Sequence, residues 1–250
     1  MKDNFSVQSG SYAAYRPSYP DALFDFLMTV VSGRRCAWDC GTGNGQVAIK
    51  LSEHFGKVYA TDISPQQLQN GVPSSKIQYS LQPAESTAFA DNTFDLITVA
   101  QAIHWFEFDK FYGEVKRTAK PEGILAVIGY GLPRITPVID GIFAGFYHNT
   151  LNLYWDKERR YVDENYRTIP FPFPEIGVPA FENTVEWSFE HFIGFIRTGS
   201  AVQHFLRKNG TDPVAQIYDD LKKSWGSADT RMIDFPVLFR VGRIEKLLLP

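Results

Sequence analysis

The chain has 250 residues, of which 44% are apolar and 21% charged, with a formal net charge of -3. That length and balance exclude a disordered chain and call for one elaborated domain with a packed core. The weakly acidic charge, without any Lys/Arg block, argues against a nucleic acid or an anionic membrane surface as the main partner, and no apolar run reaches bilayer length.

The first ten residues are polar and are expected to be mobile. An aromatic stretch follows from Tyr12 to Tyr19, ending Arg16-Pro17-Ser18-Tyr19-Pro20. Pro20-Asp21 suits the first turn of a helix with Leu23, Phe24, Leu27 and Val31 on one face and Gly33 at its end. Cys36 to Cys40 reads as a first strand. Its two cysteines form neither a disulfide framework nor a four-ligand zinc set, so no metal is expected. With no apolar leader after Met1, they point to a soluble protein of the cytoplasm.

A helix with Val47, Ala48, Leu51 and Phe55 inward follows, then a second strand over Lys57 to Asp62. Ser64-Pro65 is an N-cap with Pro at the first helical position. Ile77 to Tyr79 is a short third strand, and Phe94 to Ala100 a fourth, apolar enough to be covered on both faces. A helix over Asp109 to Ala119 leads through the turn Pro121-Glu122-Gly123 into a fifth strand, Ile124 to Ile128. Strands alternating with helices imply a parallel sheet. Beyond Tyr130 the alternation stops, and an aromatic and proline-rich stretch runs to about Glu182. A strand over Thr184 to Phe189, helices over His191 to Leu206 and Pro213 to Trp225, and a last strand over Phe235 to Val241 complete the reading.

The densest signal is Ala37-Trp38-Asp39-Cys40-Gly41-Thr42-Gly43-Asn44-Gly45-Gln46, a strand that turns through G-x-G-x-G into a helix. Such a turn lets backbone N–H groups approach a ligand closely, and the helix start favours negative charge. A nicotinamide-binding turn has its third glycine one residue later, and an acid at Asp39 would repel a pyrophosphate. The same acid is useful if the ligand carries a cationic amine or sulfonium.

These ten residues resemble motif I of the class I S-adenosylmethionine-dependent methyltransferases. Asp62, Ala84-Glu85, Phe94-Asp95-Leu96-Ile97 and Pro121-Glu122-Gly123 resemble the family's later landmarks, in the same order. Tyr15-Arg16-Pro17-Ser18-Tyr19-Pro20 and Ala100-Gln101-Ala102-Ile103-His104-Trp105-Phe106 resemble its trans-aconitate methyltransferase-like small-molecule branch. The resemblance covers Tyr12 to Tyr130. Pro83 stands where the family often has an acid, and Gly199 where the branch often has an aromatic.

The resemblance implies an α/β, Rossmann-like, doubly wound and mostly parallel seven-stranded sheet with an inserted, mainly helical cap. The expected division is an N-terminal lid segment and helix over 1–34 and a cofactor-binding core over 35–130. A cap over 131–230 would include one sheet strand near 184–189, and a strand within 231–250 would complete the sheet. S-adenosylmethionine would be the cofactor. Its expected contacts are Arg16, Asp39, Gly41, Thr42 and Gly43 on one side, and Asp62, Ile63, Ala84, Glu85 and Gln101 on the other. Asp62 would accept hydrogen bonds from a ribose diol, and Asp39 would hold the amine or brace the turn. Arg16 suits a carboxylate, or is a solvated side chain. Trp105, Tyr15, Trp155 and Arg159 would meet a small-molecule acceptor, possibly a carboxylate. For Trp105 core packing competes, and for Arg159 a salt-bridged cap surface. His104 is the histidine placed to act as a base, although a lone histidine is more often structural. Two other readings stay open: a nicotinamide-dependent oxidoreductase, and a non-catalytic cofactor-binding regulatory module. Oligomeric state is not legible.

Overall fold

The computed structural model describes residues 15–246. The expectation for the first ten residues therefore lies outside it, as do the outermost ends of the first and last segments.

The first strand, β1 (Cys36–Cys40), follows helix α1 (Asp21–Val30), which buries Leu23, Phe24 and Leu27 as its periodicity requires. Helix α2 (Gln46–His54) leads to β2 (Lys57–Asp62), and the short α3 (Pro65–Gln69) to β3 (Ile77–Leu81). Ser64 caps α3, its hydroxyl accepting from the Gln67 N–H at 3.2 Å. Next come β4 (Phe94–Ala100), α4 (Phe108–Thr118) and β5 (Ala119–Tyr130). The cap holds α5 (Pro137–Gly145), a π-helical turn over Phe146–Thr150 and the single turn α6 (Arg160–Asp163). After these lie β6 (Glu175–Ile176), β7 (Thr184–Ser188), α7 (Phe189–Arg197), α8 (Ser200–Asn209), α9 (Tyr218–Trp225), β8 (Thr230–Asp234) and β9 (Val237–Arg243).

The main sheet has seven strands in the order β3-β2-β1-β4-β5-β9-β6. From β3 through β5 every pairing is parallel, and β9 runs antiparallel to both of its neighbours. The chain winds outward from β1 to β3, then returns to lay β4 on the other side of β1. Where strand order reverses, loops at the carboxyl ends diverge and leave a crevice. Apolar clusters cover both faces of the sheet. One gathers Leu27, Leu51, Val58 and Leu96, and the other Trp38, Phe94, Phe111 and Val115.

At the amino end of the sheet, Asp95 acts as a staple. Its Oδ2 accepts from the N–H groups of Arg35 and Cys36, both at 2.9 Å, and Lys120 Nζ donates to Oδ1 at 2.6 Å. Burial alone would raise this carboxyl's pKa, but those bonds and the lysine charge outweigh it, and the net shift is downward.

Three local expectations change. The strand near 184–189 does not enter the main sheet: Thr184–Ser188 pairs antiparallel with Thr230–Asp234 in a separate two-stranded ribbon. The seventh strand is instead the two-residue Glu175–Ile176, too short to show any alternation. Pro121-Glu122-Gly123 does not precede β5 but interrupts it: Glu122 takes φ +62° and the pairing with β4 shifts register there. The helical run from His191 to Leu206 is cut in two, because Gly199 leaves helical geometry and caps α8.

Removing the staple tests its weight. Asp95→Ala leaves Lys120 and two backbone donors without their partner, and urea unfolding should show a loss of about 3–5 kcal/mol.

Candidate functional site

The crevice opens where β1 ends. Gly41, Gly43 and Gly45 have φ of +68°, +57° and +87°, the left-handed region that costs other residues roughly 1–2 kcal/mol. The three serve different ends. A Cβ on Gly41 would sit 2.6 Å from the Ala102 Cβ, and one on Gly45 would collide with the Tyr79 hydroxyl. On Gly43 it would meet nothing nearer than Gln67 Oε1 at 3.9 Å. Gly41 and Gly45 therefore admit protein neighbours, and of the three only Gly43 has open space where a Cβ would stand.

Two carboxylates flank the loop. Asp62 ends β2, where its Oδ2 accepts from Gly43 N–H and its Oδ1 from Ser64 N–H, both at 2.9 Å. Asp39 is 1% exposed and takes hydroxyl bonds from Thr98, at 2.8 Å, and from Thr42. Burial raises its pKa to about 6 against the pull of those hydroxyls, and the nearby Asp62 charge pushes the same way.

This crevice is lined by Asp39, Gly41, Thr42, Gly43, Asp62 and Ile63, together with Gln67, which no sequence signal marked. A second cavity adjoins it under the cap, walled by Phe143, Tyr147, Trp155, Arg159, Phe195 and Val202. His104 borders the second cavity only. Arg16, Gln101, Trp105 and Tyr130 border both, so they form the neck between them.

The neck is held from several elements. Arg16 donates through Nη1 to the Tyr130 hydroxyl at 3.2 Å and through Nη2 to the Thr198 carbonyl at 3.1 Å, and lies 5.0 Å from the Phe195 ring centroid. Gln101 leaves β4 in left-handed backbone, φ +51°, with Nε2 donating to the Tyr130 carbonyl at 3.0 Å. In the cap, Arg159 Nε donates to the Tyr147 hydroxyl at 2.7 Å and to Asp163 at 3.3 Å. Its guanidinium lies 5.1 Å from the Trp155 ring centroid. Among the described residues, no Asp or Glu lines the cap cavity.

His104 is 6% exposed, and its Nδ1 lies 3.3 Å from the Tyr166 hydroxyl. Burial, helped by the Arg159 charge, pulls its pKa down to about 3. The imidazole is therefore neutral near pH 7.

Three of the expected residues stand apart from both cavities. Ala84 is buried in the core beside Trp38. Glu85 accepts from the Glu107 N–H at 3.1 Å. Tyr15 packs edge-on against His191, with ring centroids 5.1 Å apart, and fills the space above Gly194. Missed by sequence reasoning were Tyr130, Tyr147, Asp163 and Tyr166. Only Tyr130, at the carboxyl end of a strand, sits where a rule would have looked.

Comparison with known proteins agrees with this architecture. Residues 38–127 match the family model described as a methyltransferase domain. A methyltransferase-named protein of Dictyostelium discoideum is 32% identical over 259 aligned positions, covering 97% of this chain and 95% of the relative. A solved structure from Anaeromyxobacter dehalogenans, described as a type II methyltransferase, superposes with a TM-score of 0.85 at 38% identity, covering 93% of this chain and 99% of that one. Phosphoethanolamine N-methyltransferase 2 of Haemonchus contortus, solved with S-adenosylhomocysteine, shares the fold at a TM-score of 0.50 and 16% identity, with 97% of this chain matched to 58% of that one. The chain belongs to the methyltransferase family. Within it, motif and fold together are those of a class I S-adenosylmethionine-dependent enzyme, which closes the nicotinamide and non-catalytic readings. No helix among the described residues is long and apolar enough to cross a membrane.

The division of labour among the glycines is testable by stability alone. Gly45→Ala should unfold in markedly less urea than Gly43→Ala, because only the former adds a collision with Tyr79 to the left-handed strain.

Proposed function

We propose that the crevice holds S-adenosylmethionine and that the cap cavity holds a small anionic acceptor, placing the protein in the trans-aconitate methyltransferase-like branch. The observation that carries this is the shared neck: two cavities of different chemistry open onto the same four residues.

The crevice chemistry fits the cofactor. Open space above Gly43 admits a ligand, Asp62 sets a carboxylate on the crevice wall within reach of a diol, and Asp39 places a carboxylate beside a cationic amine. When bound, the sulfonium supplies an activated methyl group for in-line displacement. The chain's own residues supply alignment and exclusion of water. Arg16, Gln101, Trp105 and Tyr130 would hold the approach path, with Arg16 close enough to meet the cofactor carboxylate as well.

The cap cavity is a recess walled by aromatic side chains rather than an open face, which suits a small molecule rather than a macromolecule. Its aromatic walls take an apolar body. Arg159 is oriented through Nε by the Tyr147 hydroxyl and Asp163, which leaves its two Nη groups as the donors available to an anion among the described residues. A carboxylate acceptor fits this charge pattern and needs no strong base, in keeping with a neutral His104.

Calorimetry with S-adenosylhomocysteine tests the cofactor site. The wild type should bind, Asp62→Ala should lose about 1.5–3 kcal/mol, and Gly43→Ala should stay folded yet lose most of its affinity. No heat with well-folded wild type would overturn the reading. A panel of carboxylic acids, assayed for methylation, then tests the acceptor: Arg159→Ala should raise KM for acids far more than it lowers kcat.

Affinity should also follow the state of Asp39. Above pH 7 the carboxylate is ionised and attracts the cofactor's amine. As pH falls through about 6 it takes up a proton and the attraction is lost. Binding should weaken between pH 7 and pH 5 by up to about tenfold per unit, whereas Asp39→Asn should give a flat and weaker profile.

A further inference from the structure

Gln101, His104 and Tyr166 form a chain of hydrogen bonds whose proton positions can be worked out from one end. That end is the Tyr130 carbonyl, which can only accept. Gln101 must therefore turn its NH₂ toward that carbonyl, at 3.0 Å, and its Oε1 toward Tyr166. An amide oxygen only accepts, so the Tyr166 hydroxyl spends its single proton on Gln101 Oε1, at 3.3 Å. The Tyr166 oxygen then faces His104 Nδ1 with lone pairs alone, and Nδ1 must carry the proton across that 3.3 Å contact. A neutral imidazole with its proton on Nδ1 has a bare Nε2.

We propose that this chain fixes His104 as the Nδ1–H tautomer, so that Nε2 offers a lone pair to the cap cavity and selects an acid that also bears a hydroxyl. His104 lines that cavity. Nε2 has no hydrogen-bond partner among the described residues and is not sealed off, so it reaches open space. Arg159, on the same cavity, provides for the acid group. The choice of occupant rests on the function proposed above. The tautomer does not.

The backbone around Tyr166 shows how firmly the chain is held. Asn165 and Tyr166 are consecutive left-handed residues, with φ of +54° and +60°, and Gln101 is a third at +51°. Strain of this kind persists where surrounding contacts over-determine it. Here Arg240 Nη1 donates to the Tyr166 carbonyl at 3.0 Å, and the Tyr166 ring packs so closely on Gly129 that any Cβ there would overlap it. Tyr166 is fully buried and lines neither cavity. It is a positioning residue acting through His104, as Gln101 is through Tyr166. Burial and the Arg159 charge keep the imidazole from protonating near neutrality, so the tautomer, rather than the charge, is the variable the chain controls.

The test needs no substrate. In a two-bond ¹⁵N–¹H spectrum of histidine-labelled protein at pH 7, the His104 signals, assigned by their loss in His104→Gln, should show a protonated Nδ1 and a bare Nε2. Tyr166→Phe should release them into a mixture of tautomers. An Nε2–H form in the wild type, or an imidazolium at pH 7, would overturn the proposal without any variant. Selectivity is read on protein loaded with S-adenosylhomocysteine, using benzoate and its 2-, 3- and 4-hydroxy derivatives. At least one hydroxybenzoate should bind five-fold or more tightly than benzoate, and Tyr166→Phe should remove the difference. Binding of benzoate as tight as all three, or no binding by any of them, would overturn the selectivity. If S-adenosylhomocysteine itself fails to bind while the tautomer is as stated, the proposed function falls and the hydrogen-bond chain stands.

Discussion

The carboxylate of Asp62 binds backbone N–H groups from two loops at once, one from the glycine turn after β1 and one from the start of the segment after β2. Parallel strands place those loops side by side, but nothing in strand pairing fixes their conformations. A charge-assisted bond to each does so. The left-handed glycines let the first loop bend to meet the acid, and Ser64, held by the same acid, caps the next helix. The crevice is thus already shaped before any ligand enters, and a ligand need not meet the entropy cost of ordering it.

Around that fixed point the two halves of the site use opposite electrostatics. The crevice is acidic, with one carboxylate buried deeply enough to titrate near neutrality. The cap cavity has cations at its wall and neck and no acid in its lining. Each charge would meet its complement in the reading proposed: a cationic cofactor on one side, an anionic acceptor on the other. The neck residues separate the two fields over a short span, and the side chains of Arg16 and Gln101 are tied to Tyr130, Thr198 and Tyr166 rather than left to swing.

What the sequence made legible was local. β1, β2, β4 and their helices announce themselves through apolar runs, glycines and an N-cap, because each is decided by neighbours within a few residues. The same holds for Asp39 and Gly43, on the strand end and turn whose spacing carries the signal, and for Asp62, which closes the next strand. The cap was legible only as composition. Thr184–Ser188 alternates correctly for a strand, but its partner is Thr230–Asp234, far along the chain, and alternation says nothing about which sheet a strand joins. Tyr166 could not have been found. Its position depends on left-handed backbone imposed by Arg240 and Gly129, and tyrosine has no propensity that would foretell it. Tyr15 illustrates the reverse error: a residue in a recognisable segment whose ring turns toward α7 rather than toward a cavity.

The chain leaves β5 after Tyr130, adds Glu175–Ile176 to the edge of the sheet, and returns beside β5 at Val237, which is the direct register partner of Tyr130 on the adjacent antiparallel strand. The backbone closes that junction with a bond from Gly131 N–H to the Pro236 carbonyl at 2.9 Å. For the sheet, more than a hundred intervening residues amount to an overgrown hairpin whose feet stand about 5 Å apart. Lengthening or shortening such an excursion changes closure entropy only slowly. Yet Thr198 and Tyr166 inside the excursion hold Arg16 and Gln101 in place, so a change of excursion reaches past the cap cavity into the crevice wall.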